Sequence, residues 1–490
     1  MNSVELFIKA GIQGVVPSFE VSDVIFDSRK AGPGKIFVAL RGSHTDGHKF
    51  IKNALEDGCE IAVSEDICDK CVVVPDTKIA LAYLSHAFYN FPAKSLRLCG
   101  ITATNGKTTT THMIATLLRA VDPKVGLIGT AGHYLPTGRI QPDINNPTTT
   151  PYPTITDGYL KIMKEYGSKY AVLELSSFGL DGGRVIGLEF DSMAIGNITH
   201  CHHAKLHKTH EKYVDIKLHA LDLLKDNGVV VLNEDDEYFE SAKKIAGKKR
   251  MITFGKDSGN LSILSYKPNN KGSTVSASIF GKKTSYQLPI PSFANALNSL
   301  TALGIVEGLG LDSIELTPEL IKMPEIPGRW NWIDEGQPFI VFIDKANTPA
   351  ALETVVEHMN TIKPHRKIII TNNVGEGDPS AREKMAVIAA KGADLTIITY
   401  GVAKNEDLDF TVDQFANFLE KYGGNYKIIR DRTESIHYAI KQSEDNDCIA
   451  ILGRGDEDGM SVYGKWIEVD DRVEARRALN ERGYHETYSR

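Results

Sequence analysis

The run Gly100-Ile101-Thr102-Ala103-Thr104-Asn105-Gly106-Lys107-Thr108-Thr109-Thr110 follows a strand-like stretch and opens a helix-like one, where Met113, Ile114, Leu117 and Leu118 recur at helical spacing. A loop in that position turns free backbone N–H groups and the positive end of a helix dipole toward an anion. Gly106 lets the backbone approach phosphates, Lys107 brings a charge to the β- and γ-phosphates, and Thr108 offers a hydroxyl to Mg²⁺. Thr104, Asn105 and Thr109 complete the cradle. The chemistry expected is binding of ATP with Mg²⁺. A Gly-Lys-Thr triplet opening a helix with no ligand is the plain alternative. The preceding strand, Asn105 and the run of threonines favour the nucleotide.

A second group lies downstream. Glu174 ends the strand-like Ala171-Val172-Leu173-Glu174-Leu175 and precedes Ser176-Ser177. A carboxylate at a strand's C-terminal end beside a phosphate loop can hold the Mg²⁺ that bridges the phosphates. Its bland alternative is a glutamate facing solvent. Asn197-Ile198-Thr199-His200-Cys201-His202-His203 follows, then His207 and Lys217. A solvated histidine-rich loop is one interpretation. A zinc site is another, although these ligands are too bunched for the usual zinc spacings.

These residues need a frame to hold them. The chain has 490 residues, 42% apolar and 24% charged, the composition of a globular protein of about three domains. Residues 1–95 are mixed α/β, with strand-like Lys35 to Leu40 and Glu60 to Val63 around a helix-like Phe50 to Leu55. Residues 96–325 alternate strand-like runs (Leu96 to Ile101, Tyr170 to Leu175, Met193 to Ile195, Val229 to Leu232) with helical patterns, which implies a parallel sheet covered by helices. Pro318, Pro324 and Pro327 mark a linker. Residues 326–490 carry Phe339 to Ile343, Lys367 to Thr371, Leu395 to Thr399, Lys427 to Ile429 and Ile449 to Leu452, a Rossmann-like series.

A net charge of -7 sets up no basic field for nucleic acid or anionic lipid. The N-terminus lacks the pattern of a signal peptide, and no apolar run reaches the ~20 residues that cross a bilayer. A cytoplasmic protein is expected. Six cysteines make no disulfide scaffold. Cys68 and Cys71 form an isolated CxxC, for which two ordinary half-buried cysteines are a plainer reading than zinc or redox chemistry.

TNGKTTT, with the E-x-S-S element at Glu174, resembles the Mur ligase family, and the order of further motifs is most similar to its MurE subfamily. The resemblance covers about residues 20 to 480 and implies a three-domain α/β architecture, with a central P-loop ATPase-type sheet and a Rossmann-like C-terminal domain. It implies an ATP-dependent ligase that activates a carboxylate as an acyl phosphate and joins it to an amine. Ala103 stands where a glycine is usual, which alanine can satisfy at a negative φ. The family places a metal-binding histidine after an N-[LIV]-T element; counting from Asn197 selects His202, and counting back from Lys217 selects His203. Lys217 matches a lysine that is carbamylated in the family and becomes an anionic metal ligand.

The resemblance also carries substrate residues. Asp27-Ser28-Arg29-Lys30 and Thr45-Asp46-Gly47 resemble the MurE domain that grips the UDP of a nucleotide-linked peptide, implying contacts from Ser28 and Arg29. Thr148, Thr149, Ser177 and Arg184 match positions that touch the sugar-peptide. Asn295 and Asn298 resemble an asparagine pair near adenine; Arg329 would face the γ-phosphate and Asp344 the ribose, while Asn347 replaces a usual histidine. Arg382, Gly453 and Glu457 match the amino-acid pocket. Lys404 replaces an arginine of the D-N-P-R stretch, and a lysine cannot reproduce a bidentate carboxylate clamp. The implied partners are a UDP-linked peptide precursor and a free amino acid, with no nucleic acid or membrane, on a monomer. Archaeal pseudomurein peptide ligases, which are similar to MurE, are a second home for so divergent a chain. A folylpolyglutamate-synthetase-like ligase and a catalytically silent ATP-binding regulator are the alternatives.

Overall fold

The computed structural model describes residues 1–42, 45–141, 149–199, 207, 209–372, 379–401, 406–463 and 465–485. Three α/β units follow one another. The first is a four-stranded parallel sheet in the order Asp23–Ile25, Lys35–Val38, Ile61–Ser64 and Cys71–Val73. Its two middle strands are nearly unbroken apolar runs because both faces are covered. Ile36, Val38, Ile61 and Val63 pack under the helix Thr77–Phe88, and Phe37 and Ala62 pack on the other side with Ile51 and Ala54 of the helix Ile51–Glu56. Cys68 and Cys71 are both half-buried, as expected, and are joined as a disulfide, which the expectation of two ordinary cysteines did not include.

Among the described residues the central sheet has eleven strands. Its middle is parallel, as expected, and runs Arg250–Gly255, Leu224–Asn233, Phe190–Ile195, Arg97–Thr102, Tyr170–Glu174 and Gly126–Gly129. Both margins turn antiparallel, which the sequence reading did not anticipate. On one margin, strand Ser273–Ile279 alternates buried and half-buried residues, the pattern of a sheet with one face toward water. Arg97–Thr102 lies between Phe190–Ile195 and Tyr170–Glu174, so the phosphate loop that follows it emerges beside the ends of both neighbours. In an open α/β sheet such carboxyl ends are where ligands bind.

The proline-rich segment read as a linker is a packed connection. Pro318 sits in the first turn of the 3₁₀ helix Thr317–Lys322, where a missing N–H costs no hydrogen bond, and Leu320, Met323 and Ile326 are buried in the main core. Among the described residues, the main sheet of the third unit has six strands in the order Asn331–Ile333, Ile340–Asp344, Cys448–Leu452, Lys367–Asn372, Leu395–Thr399 and Tyr426–Ile428, all parallel except the first, and a separate antiparallel pair joins Gly459–Val462 to Lys465–Glu468. It is the expected Rossmann-like sheet.

A buried polar cluster joins the first unit to the second. Asp157, wholly buried, accepts from Ser85 at 2.5 Å and from His86 Nδ1 at 2.8 Å, while His86 Nε2 lies 2.8 Å from the Ile186 carbonyl. Burial pulls the His86 pKa down, but the hydrogen bond and charge of Asp157, helped by that carbonyl, outweigh it and leave the pKa above the ordinary value. A raised histidine pKa contributes stability below the unfolded value, and that contribution fades as pH climbs through the folded value. Asp157→Asn should therefore destabilise the protein by about 3–5 kcal/mol in mildly acidic solution, as breaking a buried pair does. The deficit, read by denaturant unfolding, should shrink as the solution is made alkaline. A deficit that stays constant with pH would show that His86 carries no charge in the folded state.

Candidate active site

Strand Arg97–Thr102 ends at the loop, and Gly106 caps the helix Lys107–Arg119 at φ +85°, a left-handed backbone that glycine adopts freely. Ala103 has no positive φ, so alanine serves at that position. The loop is tied to the strand Phe190–Ile195 through Asn197. Its carbonyl accepts from Thr104 N at 2.6 Å, its Oδ1 accepts from Asn105 N at 3.0 Å, and its Nδ2 donates to the Asn105 carbonyl at 2.9 Å. Lys107 curls over the loop and donates to the carbonyls of Ala103 and Thr104 at 2.9 and 3.1 Å. The helix Phe293–Gly308 packs along Lys107–Arg119 and brings Asn298 over the glycine. A Cβ on Gly106 would stand 2.4 Å from Asn298 Oδ1.

Glu174 is 2% exposed. Its Oε1 accepts from Thr108 Oγ1 at 3.1 Å and from Thr130 Oγ1 at 2.9 Å, and its Oε2 accepts from Thr130 N at 2.9 Å. An all-oxygen pair of Thr108 and a buried carboxylate suits a hard cation such as Mg²⁺. Lys217 is 1% exposed, donates to Thr102 Oγ1 at 3.1 Å and the Ala103 carbonyl at 2.7 Å, and lies 5.0 Å from the Tyr213 ring centre. His202 and His203, the two candidates for the metal histidine, lie outside the described residues. Among the described residues no three His, Cys, Asp or Glu side chains cluster as a metal site.

All of this borders one cleft of about 700 Å³. It is lined by Thr104 to Thr109, Glu174 and Lys217, by Thr149, Ser177 and Arg184, by Asn295 and Asn298, and by Arg329 and Asp344 from the third unit. Ser177 Oγ lies 3.0 Å from His207 Nε2. Arg184 donates to the Thr150 carbonyl at 2.9 Å and stacks 4.2 Å from the Tyr152 ring centre, and Tyr152 packs 4.1 Å from Phe26, next to the Asp27-Ser28-Arg29 turn. Asp344 accepts from Trp330 N at 3.0 Å; burial raises its pKa, and the nearby Arg329 charge opposes the rise.

Other expected residues stand apart from the cleft lining. Asp27 caps the 3₁₀ turn Ser28–Lys30 and binds the Arg29 guanidinium at 2.7 Å, so Ser28 and Arg29 belong to a turn on the first unit. Arg382 is buried and held by Glu406 and Gln414. Gly453 follows the strand Cys448–Leu452 at φ +101°, and Glu457 pairs with Lys345 at 3.2 Å. Thr148 and Lys404 lie outside the described residues. Sequence reasoning passed over Thr130, Tyr213 and Lys345, and took Asn197 only as the start of a count. Asn197 was findable from its place after a strand neighbouring the loop strand. Thr130 has no local signal, because its partner Glu174 is distant in sequence.

Comparison with known proteins gives a consistent picture. The chain matches the Mur ligase middle domain over residues 101–306, the Mur ligase glutamate ligase domain over residues 328–455, and the Mur ligase family catalytic domain over residues 20–87. It is 31% identical to a UDP-N-acetylmuramoyl-L-alanyl-D-glutamate--2,6-diaminopimelate ligase of Caldanaerobacter subterraneus subsp. tengcongensis, covering 98% of this chain and 99% of that one. It is 30% identical to a UDP-N-acetylmuramyl-tripeptide synthetase of Roseiflexus sp., over 95% and 96% of the two chains. A solved UDP-N-acetylmuramoyl-L-alanyl-D-glutamate--2,6-diaminopimelate ligase superposes with a TM-score of 0.68 at 25% identity, over 99% and 100% of the chains. The pseudomurein alternative draws no support from these relatives.

The Gly106 geometry yields a test. Gly106→Ala combines a left-handed backbone, worth about 1–2 kcal/mol against alanine, with a clash on Asn298. Its affinity for ATP, read by calorimetry, should fall about tenfold or more, since each 1.4 kcal/mol is tenfold. An unchanged affinity would contradict the cradle assigned to this loop.

Proposed function

The chain belongs to the Mur ligase family and is an ATP-dependent acid–amino-acid ligase, and from that premise we propose that it adds an amino acid to a UDP-linked cell-wall peptide precursor through an acyl phosphate. The observation that carries this reading is the shared lining of the cleft. Phosphate-loop residues, Arg329 and Asp344, and Thr149, Ser177 and Arg184 all line it. A triphosphate and an acceptor carboxylate therefore have one place to meet.

The reaction follows from the charges. A carboxylate oxygen of the precursor attacks the γ-phosphorus of ATP, and the bond to the departing ADP oxygen breaks. The amine nitrogen then attacks the acyl carbon, phosphate leaves, and the nitrogen gives up a proton as the amide forms. Lys107 and Arg329 supply positive charge where the transferred phosphoryl group spreads its negative charge. Lys107 is released from its carbonyl partners to do so. Mg²⁺, when bound, neutralises the β- and γ-phosphates, and Thr108 and Glu174 would hold it with His202 or His203. Lys217 would join them once carbamylated, because its ammonium as found repels a cation.

The substrate ends are assigned in the same spirit. Ser28 and Arg29 would take the UDP, with Phe26, Tyr152 and Arg184 forming a continuous stack from that turn to the cleft. Thr148, Thr149, Ser177 and Arg184 would take the sugar-peptide. Asn295, Asn298 and Asp344 would place the adenosine. Gly453, Glu457, Arg382 and Lys404 would form the amino-acid end; the Lys345 ammonium on Glu457 supports a role for that carboxylate in receiving an amine. ATP and a UDP-linked precursor fit a cytoplasmic, monomeric enzyme. No described helix is long and apolar enough to cross a membrane. A folylpolyglutamate-synthetase-like ligase does not account for the first unit as well, since residues 20–87 match a Mur ligase domain; a silent regulator would bind ATP but release no phosphate.

The test is a screen of UDP-linked peptides and amino acids for release of ADP and phosphate. Lys107→Ala should lower that release by ~100-fold or more, the scale of removing a charged donor from a transition state. Near-normal turnover in the variant would contradict the mechanism.

A further inference from the structure

We infer that Thr130 is the positioning residue for the metal-binding carboxylate; this rests on the reading of Glu174 as a Mg²⁺ ligand. Thr130 directly follows strand Gly126–Gly129, which pairs with Tyr170–Glu174. From there it grips both oxygens of Glu174: its hydroxyl lies 2.9 Å from Oε1 and its backbone N–H 2.9 Å from Oε2. The neighbouring Gly129 makes this approach possible, since a Cβ there would stand 2.8 Å from Oε2.

Lone pairs decide what the grip achieves. Each carboxylate oxygen has about two acceptor sites. Thr108 and Thr130 fill those of Oε1, while Oε2 takes one bond from the Thr130 N–H and keeps one site open. The Thr108 proton is spent on Glu174, which leaves the lone pairs of its hydroxyl available to a cation. Thr130 thus holds the carboxylate in one orientation while Thr108 and one oxygen stay able to bind metal. Such outer contacts commonly set metal affinity as strongly as the ligands do.

The same hydroxyl lies 2.9 Å from Thr149 Oγ1, at the edge of the loop proposed to meet the sugar-peptide. One proton cannot serve both neighbours. The ionised carboxylate is the stronger acceptor, so the proton goes to Glu174 and the Thr149 contact is the weaker. A substrate that draws Thr149 away therefore leaves the Thr130–Glu174 bond intact.

Mn²⁺ titrated into the protein with ADP and followed by electron paramagnetic resonance reads metal binding without turnover. Thr130→Val keeps the backbone N–H and shape but removes the hydroxyl; it should weaken Mn²⁺ binding about tenfold, while Thr130→Ser should stay within about twofold of the native protein. Thr130→Ala is a second lesion expected to behave as Thr130→Val. Affinity for ADP in chelator, without divalent cation, should be unchanged in all three. Native Mn²⁺ affinity in Thr130→Val and Thr130→Ala, no rescue by serine, or an equal loss of metal-free ADP binding would each overturn the assignment. Failure of the native protein to bind Mn²⁺ with ADP would instead sink the nucleotide reading, and this inference with it.

Discussion

A carboxylate attacking a triphosphate is a meeting of two anions, and the structure is arranged around lowering the cost of that encounter. At short range two like charges repel strongly unless donors and cations are already in place. In the proposed mechanism these are backbone N–H groups at the start of Lys107–Arg119 and the cations Lys107 and Arg329. Their central joint is Glu174, an anion kept buried by three hydrogen bonds. A buried carboxylate is tolerable only when so satisfied, which makes it a fixed point between the loop and the neighbouring strands.

The rest of the fold serves that joint. The parallel middle of the central sheet sets the loop strand between two neighbours, one ending at Glu174 and the other leading to Asn197. Asn197 fixes the loop backbone, and Asn298 seals the glycine from the far side. The first unit is fastened through His86 and Asp157 and through Phe26 on Tyr152. The third reaches the cleft through the packed connection ending at Gly328-Arg329, where the Arg329 and Lys345 N–H groups are drawn to the carbonyls of Ile326 and Gly328. The second and third units thereby contribute residues that neither could gather alone.

Much of this was legible in the sequence because the determinants are local. The loop is contiguous, its strand and helix flank it directly, and the parallel strands announce themselves as short apolar runs. Ala103 was a departure whose acceptability depended only on its own backbone angle. What escaped depends on partners far apart in the chain. Thr130 matters because Glu174 comes to lie beside it, and the antiparallel margins of the central sheet read as strands without revealing their direction. The prolines near residue 320 mark a linker, but local composition does not show that Leu320, Met323 and Ile326 are buried between them. The Cys68–Cys71 pairing was likewise a matter of geometry rather than spacing.

The most direct measurement follows the oxygen. With the acceptor carboxylate of the UDP-linked peptide labelled with ¹⁸O, a single round of ligation should deliver one labelled oxygen into the released phosphate, because the carboxylate oxygen that attacks phosphorus departs with it. Phosphate carrying no label, with the amide formed, would contradict an acyl phosphate made in this cleft.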